Sequence, residues 1–466
     1  MQHNSAFVAD DPSNFGMKNL LSDLQRLIRQ PSISSENAGL EECASIVEKI
    51  MQDSGIHTKI LRLEDDADET RIPPPIVYGE VKSKSNPNGR TILFYNHYDV
   101  QPVEPLGLWN RHPFSGDISE GKIWGRGSAD DKGELIVRIK GVGRLLREKQ
   151  DVPCNIKFLV EGQEEVGSPH LNRYLEKFCH IFTCDAVIWE FGYVDTKGRP
   201  IINLGMKGIL LVELTSLGPS LDIHSSMAVL VQNPAWRMVK ALNTLYDENT
   251  GMITIKDWYN EVMPLTTEEL SFIASQPMFD EEGFKKKYRI REFVARRKGN
   301  TVKRALTESP TCNISGIASG FLGTAAKTVL PSLAKARIDF RLLPNMMPDL
   351  QFKRLENHLV QSGFNDISVQ WIHGSASSRT KFKDPFVDIV KKSARLVFGR
   401  NPVVNLSSAG SGPMYLLVQA LKVPCVAVGC SYIFSNIHSH NEYARIDLLN
   451  RGTRLIMEII SRFANS

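Results

Sequence analysis

The sequence predicts an α/β protein: a larger domain with a mostly parallel sheet flanked by helices, and an α+β sandwich inserted into it. Short β-rich runs alternate with helical stretches as far as about Met206, which is typical of a parallel sheet covered on both faces. Beyond Met206 the order becomes strand, helix, strand, strand, helix, strand, which is typical of a small sandwich. At 466 residues the chain is long enough to bury two cores.

The larger domain takes residues 1–206 and 383–466. Two amphipathic helices open it, with apolar side chains at helical spacing from Leu20 to Ile28 and from Cys43 to Ile50. The segments that follow are PIVYGEV, TILFYNHYDV, the helix GELIVRIKGVGRLLRE, NIKFLVEG, the helix PHLNRYLEKF and DAVIWEF. The domain closes with the helix PFVDIVKKSARLVFG, the strand CVAVGC and the helix IDLLNRGTRLIMEIISRF.

The inserted domain takes residues 207–382. Its strands are KGILLVELTS, TCNISGIAS, AKARIDFRLLP and ISVQWIHG, and its helices are PAWRMVKALNTLY and MPDLQFKRLENHLVQ. A charged helical insertion runs through EEGFKKKYRIREFVARRK.

Composition excludes several classes of partner. Lysine and arginine total 56 against 52 acidic residues, and this net charge of +4 is too dilute for a nucleic-acid or membrane-surface protein. No apolar run reaches the roughly 18 residues that a membrane helix needs, and the N-terminus lacks the pattern of a signal peptide. Seven scattered cysteines, never spaced as CxxC, fit reduced thiols. We expect a soluble cytoplasmic protein.

Acidic and histidine side chains follow four of the strand-like runs. They are His97 and Asp99, Glu164 and Glu165, Glu190, and His438 and His440. Ligands of open α/β sheets bind beyond the carboxyl ends of the strands, so these side chains can converge. Carboxylates combined with imidazoles are the donors that a binuclear zinc-type site requires.

Two of the motifs suggest how such a site is arranged. His97 and Asp99 face the same way on an extended segment, so the aspartate can accept the second ring N–H of the histidine. The glycine-rich turn GRGSADDKG displays Asp130 and Asp131, one of which can bridge two cations. Each motif alone also has a simpler interpretation as a hydrogen-bonded pair or a capped turn. EGQEEVGS, for example, could be a solvated loop with Ser168 as a helix cap.

The ordered set HYDVQP, GRGSADDKG, EGQEEVGS, WEFG, GMKG, DIHS, RLLP and IHSHNE resembles a known family. It is similar to the dinuclear zinc metallopeptidases that include the carnosine-type cytosolic nonspecific dipeptidases, aminoacylases, succinyl-diaminopimelate desuccinylase and glutamate carboxypeptidases. The resemblance covers essentially the whole chain and is closest to the carnosine-type branch. It implies a phosphorylase/hydrolase-like catalytic domain, and it makes the inserted domain a lid that forms a homodimer.

The resemblance also implies a site around two divalent metal ions, zinc first, with manganese or cobalt as alternatives. The implied ligands are His97 and Glu190 at one ion, Glu165 and His438 at the other, and Asp130 as the bridge. Asp99 matches the residue that orients the histidine. Glu164 matches the general base, which takes a proton from a water that the two ions activate and gives it to the departing amine. Glu161, in the same segment, has no implied role.

Four further residues resemble substrate contacts. His224 matches a histidine that reaches the partner subunit's site and stabilises the oxyanion, and Arg341 matches an arginine that grips a carboxylate. Ser411 and Thr328 match smaller contacts. Arg341 as a surface residue at a strand end, or Thr328 as a β-branched strand residue, remain open alternatives.

The predicted enzyme is a metallopeptidase that cleaves the amide bond of dipeptides or short peptides, in the manner of a dipeptidase or a carboxypeptidase. The alternative is an N-acyl amino acid deacylase that uses the same metals and base. Glu190 stands where the family's dipeptidases often have aspartate and its carboxypeptidases and deacylases often have glutamate, so the substrate class stays open. A non-catalytic metal-binding scaffold is less favoured, since every ligand position is filled. The expected partners are a small peptide or N-acyl amino acid and a second copy of the chain, with no nucleic acid and no membrane.

Overall fold

The computed structural model describes residues 13–63, 72–324 and 326–465. In chain order the helices are α1 (Ser13–Arg29), α2 (Leu40–Asp53), α3 (Lys132–Lys149), α4 (Leu171–Phe182), α5 (Pro234–Leu242), α6 (Thr267–Ser275), α7 (Glu281–Tyr288), α8 (Asn300–Glu308), α9 (Pro348–Gln361), α10 (Pro385–Phe398), α11 (Met414–Leu421) and α12 (Ile446–Ala464). Among these described residues, no helix is both long and apolar enough to span a bilayer.

The strands are more numerous and mostly shorter. They are β1 (His57–Leu61), β2 (Ile76–Val81), β3 (Thr91–His97), β4 (Asp117–Ser119), β5 (Lys122–Trp124), β6 (Asn155–Glu161), β7 (Ala186–Trp189), β8 (Tyr193–Val194), β9 (Ile201–Asn203), β10 (Gly205–Met206), β11 (Gly208–Leu217), β12 (Ile223–His224), β13 (Tyr246–Asp247), β14 (Met252–Ile253), β15 (Thr311–Ser319), β16 (Val329–Leu330), β17 (Leu333–Leu342), β18 (Ile367–Ser375), β19 (Ser378–Arg379), β20 (Val403–Asn405), β21 (Cys425–Ala427), β22 (Ser431–Tyr432) and β23 (Tyr443–Arg445).

The chain divides into two compact units. The first comprises residues up to Leu204, Thr380–Asn405 and the stretch from Leu416 onward, and the second comprises Gly205–Arg379 and Leu406–Tyr415. The predicted fold class is confirmed, because the first unit is built on a mostly parallel sheet with helices and the second on an antiparallel sheet with helices. That the second unit acts as a lid and forms the dimer stays a prediction.

An eight-stranded sheet in the order β1-β2-β6-β3-β7-β21-β9-β20 forms the centre of the first unit. Its four middle strands, β6, β3, β7 and β21, run parallel. Strand β3 is buried from Ile92 to His97, as expected for a central strand covered on both faces. Helix α3 packs against β3 and against both α1 and α12. The carboxyl ends of β3, β6 and β7 therefore meet at one edge of the sheet, where the predicted ligands begin.

The second unit has a four-stranded antiparallel sheet in the order β15-β17-β11-β18. Alternate side chains of β17 from Ala334 to Leu342 are buried in a core with helices α5 and α9, while Lys335, Arg337 and Arg341 stand on the other face. This strict alternation is typical of a sheet covered by helices on one side. The charged stretch predicted as helical forms an α-helix only in its first part, α7 (Glu281–Tyr288), and the remainder contains one short 3₁₀ turn, Val294–Arg296.

Candidate metal centre and active site

His97 is the last residue of β3, and its ring is held from both sides. Its Nδ1 lies 3.3 Å from Oδ1 of Asp99 and 3.1 Å from the Asp99 carbonyl oxygen, while Nε2 lies 3.1 Å from Oδ1 of Asp130. The histidine and Asp99 are fully buried. Asp99 thus lies where it can orient the imidazole and leave Nε2 turned towards the other acidic side chains.

The same Asp99 carboxylate also fixes the neighbouring turn. Its Oδ1 accepts the backbone N–H of Glu164 at 3.2 Å, and its Oδ2 accepts the N–H of Glu165 at 3.1 Å. Glu164 opens a single 3₁₀ turn, Glu164–Val166, just after β6. One carboxylate therefore sets the position of a histidine on one strand and of two glutamates beyond the next strand.

Asp130 lies between the two candidate histidines. Its Oδ2 is 3.3 Å from Nε2 of His438, which in turn is 3.1 Å from Oε2 of Glu165. On the other side, Oε2 of Glu190 is 4.0 Å from Nε2 of His97. The structure thus brings seven of the predicted residues into one cluster, whereas His440, also considered from the sequence, is exposed. The seven are His97, Asp99, Asp130, Glu164, Glu165, Glu190 and His438.

Two groups within this cluster have the geometry of metal-ligand sets. Potential donor atoms of His97, Glu164 and Glu190 lie within 4.8 Å of one another, and so do those of His97, Asp130 and Glu165. Oε1 of Glu165 and Oε2 of Glu190 are buried and have no hydrogen-bond donor among the described residues. Unpartnered buried carboxylate oxygens beside imidazole nitrogens fit divalent cations, so the side chains present suit a dinuclear centre.

The electrostatics point the same way. Burial raises the pKa of Glu190 well above its usual range, and repulsion by Glu164 raises it further. Burial alone would lower the pKa of His438, but hydrogen bonds to Asp130 and Glu165 raise it to about 11. Both shifts favour the protonated form of the side chain, because a proton lowers the excess of negative charge in the cluster. A bound cation would lower this excess directly.

Sequence reasoning gave no supporting role to several residues that position these candidate ligands. Oδ2 of Asp131 accepts Nδ2 of Asn96 at 2.6 Å and the N–H of His97 at 3.1 Å. Trp189 donates its indole N–H to Oε1 of Glu190 at 3.0 Å, which leaves Oε2 free to face His97. Asp131 stands in a quoted motif, and Trp189 immediately precedes a predicted ligand, so proximity in sequence was the available signal.

Two further buried charged residues, Arg138 and Glu442, also support the cluster. Nothing in the sequence pointed to Arg138, and Glu442 stood in a quoted motif without a role. The fully buried Arg138, on α3, donates to the carbonyl oxygens of Tyr95 at 2.9 Å and Trp189 at 2.6 Å, which joins β3 to β7 close to the candidate ligands. Glu442, the last letter of IHSHNE, is buried and accepts hydrogen bonds from the segment that carries Asp130.

Glu161 is a structural member of the cluster's surroundings. Its Oε1 accepts the hydroxyl groups of Tyr95 at 2.5 Å and Ser168 at 2.8 Å. Ser168 is therefore engaged with this carboxylate, and α4 begins at Leu171 with His170 as its cap, so the simpler interpretation of Ser168 as a helix cap is wrong.

The remaining predicted residues lie in the second unit, in two pairs. His224 ends β12 and pairs with Val329 of β16, which places it next to the exposed Thr328. Ser411 donates its hydroxyl to the Gly208 carbonyl at 2.8 Å, and Gly208 begins the strand that pairs with the end of β17, where Arg341 lies.

Comparison with known proteins decides the family. Residues 93–462 match the family described as Peptidase family M20/M25/M40. The chain belongs to this family. A solved M20 family metallo-carboxypeptidase from Sulfolobus solfataricus is 35% identical, with a TM-score of 0.88 over 96% of this chain and 99% of that one. The predicted enzyme class, a metallopeptidase, is confirmed by this membership.

Two curated relatives carry more specific names. A Beta-Ala-His dipeptidase of Mus musculus is 27% identical over 84% of this chain and 80% of that protein. A Cys-Gly metallodipeptidase of Schizosaccharomyces pombe is 28% identical over 84% of this chain and 83% of its own length. A family member of known structure from Bacillus subtilis is described as a dinuclear metal-binding peptidase.

The first prediction concerns Glu161 in metal-free protein. Burial raises the pKa of Glu161 from 4.5 to about 7, so folding favours its protonated form and the wild type loses stability as the pH rises between these values. Glu161→Gln removes this penalty while keeping an acceptor for Tyr95. We expect the variant to gain about 2 kcal/mol over the wild type between about pH 5 and about pH 8.

The measurement is urea unfolding of both proteins in the presence of a chelator. Other carboxylates titrate in both proteins and cancel in the difference. A stability difference between variant and wild type that does not change with pH would contradict this assignment.

Proposed function

We propose that the chain hydrolyses the amide bond of dipeptides or other short peptides at this cluster. The observation that carries the proposal is the position of Asp130, whose two carboxylate oxygens lie 3.1 Å from Nε2 of His97 and 3.3 Å from Nε2 of His438. A carboxylate between two imidazoles is the arrangement that suits a bridge between two cations. The dipeptidase names of the relatives support this substrate class.

In this proposal Asp130 would contribute to holding both ions. His97 and Glu190 would hold the first ion with it, and Glu165 and His438 would hold the second. Zinc is the proposed metal, because imidazole nitrogen and carboxylate oxygen are ligands that zinc accepts, and manganese or cobalt are the alternatives. When bound, two such ions supply Lewis acidity that polarises an amide carbonyl and makes a water molecule more acidic.

Glu164 is the proposed general base. Its backbone N–H is held by Asp99 beside Glu165, so proton transfer and metal ligation fall to adjacent side chains of one short turn. The carboxylate would take a proton from the attacking water and deliver it to the departing amine. Because an oxygen of Glu164 also groups with His97 and Glu190, metal ligation by Glu164 is the competing role that an experiment must separate.

The substrate contacts are proposed from the second unit. Arg341 stands on the open face of its sheet, 3.8 Å from Asp339, and a guanidinium can bind a carboxylate through two parallel hydrogen bonds. Ser411, Thr328 and His224 are the other proposed contacts. All seven cysteines have free thiols, which supports the proposed cytoplasmic location.

We also propose a homodimer formed through the second unit. Large apolar side chains there are exposed, among them Leu230 at 81% and Val229 at 86%, beside the segment that carries His224. Strand β15 is an edge strand with Ile314 and Ile317 exposed. Exposed apolar groups and an open strand edge are features of an association surface.

The second prediction tests the substrate class. With zinc or manganese supplied, we expect turnover of Ala-Ala, Gly-Gly or Cys-Gly to exceed turnover of N-acetyl and N-succinyl amino acids, and all activity to disappear with a chelator. Chromatographic separation of the released amino acid from the substrate measures both classes in one assay. Preference for the N-acyl substrates would establish the deacylase alternative, and no activity on either class would favour the scaffold.

The third prediction separates the roles of the adjacent glutamates. Glu164→Gln should keep two metal ions per chain and lower kcat by about 10² to 10⁴, because it removes proton transfer. Its matched control, Glu165→Gln, should lose metal as well. Metal content by elemental analysis and kcat on a dipeptide are the measurements. Turnover by Glu164→Gln equal to that of the wild type would contradict the assignment of Glu164 as the base. Loss of metal in this variant would identify Glu164 as a metal ligand.

The fourth prediction tests the dimer. Light scattering should give a mass twice the 52.3 kDa of one chain for the wild type and for Leu396→Asp, an exposed site of the first unit. Leu230→Asp should shift the mass to that of one chain. If Leu230→Asp keeps the mass of two chains, Leu230 does not lie in the dimer interface.

The same dimer tests whether His224 acts on the partner's site. Inactive His224→Ala and inactive Glu164→Gln proteins, mixed and allowed to exchange subunits, should regain partial activity. Absence of rescue in proven mixed dimers would place His224 in its own subunit's site.

A further inference from the structure

Glu442 accepts several hydrogen bonds from the segment that carries Asp130. Its Oε1 accepts the backbone N–H groups of Ala129 at 2.9 Å and Asp130 at 3.2 Å. Its Oε2 accepts Nη1 of Arg126 at 2.7 Å and the N–H of Gly127 at 3.2 Å. The side chain is 1% exposed, so these contacts are made away from water.

The backbone of Glu442 is itself tied to the same turn. Its carbonyl oxygen accepts the N–H of Gly125 at 3.0 Å, and the next residue, Tyr443, pairs with Trp124 where β23 meets β5. Glu442 also lies four residues after His438. One short stretch of chain therefore supplies a candidate ligand and secures the turn that supplies another.

We propose that Glu442 is a positioning residue that sets Asp130 between His97 and His438 before a metal ion binds, an inference that rests on the proposed role of Asp130 as the bridge. The carboxylate satisfies four donors at once, three of them backbone N–H groups. We call these four hydrogen bonds of the Glu442 carboxylate the clamp. A ligand that is already in place loses no further conformational entropy when the ion binds, so the clamp raises the affinity for the metal.

The chemistry of the clamp requires two acceptor oxygens. In Glu442→Gln one oxygen becomes an NH₂ group, which would face either the N–H groups of Ala129 and Asp130 or the guanidinium of Arg126. Buried donors that face one another leave both unsatisfied. The variant therefore loses one half of the clamp while its volume hardly changes.

Asp195 offers a matched control in the same unit. Its carboxylate accepts the backbone N–H groups of Lys197 at 2.9 Å and Arg199 at 2.8 Å and the side chain of Arg199 at 2.6 Å, and it is 9% exposed. Asp195→Asn thus damages a carboxylate clamp of the same kind that carries no candidate ligand. If Glu442→Gln acted only by lowering the stability of the fold, Asp195→Asn should weaken Zn²⁺ binding to the same extent.

The fifth prediction is a difference in metal affinity between these variants. Competition of metal-free protein with a chromogenic chelator for Zn²⁺ should show a Kd at least tenfold weaker for Glu442→Gln than for the wild type. Asp195→Asn should bind Zn²⁺ as the wild type does, even where both variants melt at similarly lowered temperatures. Equal affinity of Glu442→Gln and wild type, or equal weakening in both variants, would overturn the inference.

Hydrogen exchange of the wild type keeps the test independent of variant folding. The amides of residues 127, 129 and 130 should be protected in metal-free protein, and exchange at unstructured rates there would also overturn the inference. Asp130→Asn distinguishes the two levels of the proposal. If Asp130→Asn keeps its metal, the proposed site fails, whereas metal loss in Asp130→Asn beside unchanged affinity in Glu442→Gln refutes the clamp alone.

Discussion

The structure depends on burying acidic side chains that repel one another. Asp130, Asp131 and Glu190 are almost completely buried, and Glu164 lies close enough to raise the pKa of Glu190. Charges a few Å apart in a poorly hydrated interior repel strongly, so such a cluster exists only if protons or cations compensate it. The histidines and Arg138 supply part of the compensation within the described chain. A pair of divalent ions would supply the rest, and the function of the site rests on that requirement.

A second constraint is that very few side chains set the geometry. Asp99 reaches both His97 and the backbone of Glu164 and Glu165, so a shift of this one carboxylate would move a proposed ligand and the proposed base together. Trp189 stacks on Tyr95 with ring centroids 4.1 Å apart while it donates to Glu190. Tyr95 and Trp189 belong to the central strands and Asp99 lies just beyond one of them, and all three side chains are fully buried. Precision in the site therefore comes from the core of the sheet rather than from the loops alone.

The sequence allowed much of this to be predicted, for identifiable reasons. Periodicity located the strands and helices, and polar residues at strand ends located His97, Glu165 and Glu190, because apolar strands rarely end in such groups without a reason. Glu442 and Arg138 were not given roles, and Asp131 was considered only as a possible bridge, because many of their partners are backbone groups distant in sequence. Backbone hydrogen bonds leave no residue-type pattern in the sequence. Ser168 was open to a wrong interpretation, since a serine before Pro169 looks like a helix cap until its bond to Glu161 is seen.

The interruption of the first unit by the second has a consequence for how the protein is made. His97, Asp130, Glu165 and Glu190 leave the ribosome before residue 205, whereas His438 and Glu442 follow only after the whole second unit has been synthesised. A nascent chain that ends within the second unit therefore carries the acidic side chains without His438 and without the carboxylate that accepts the Asp130 N–H. The cluster can therefore form only after both flanking parts of the first unit have been synthesised, so its assembly waits for synthesis of the entire inserted unit.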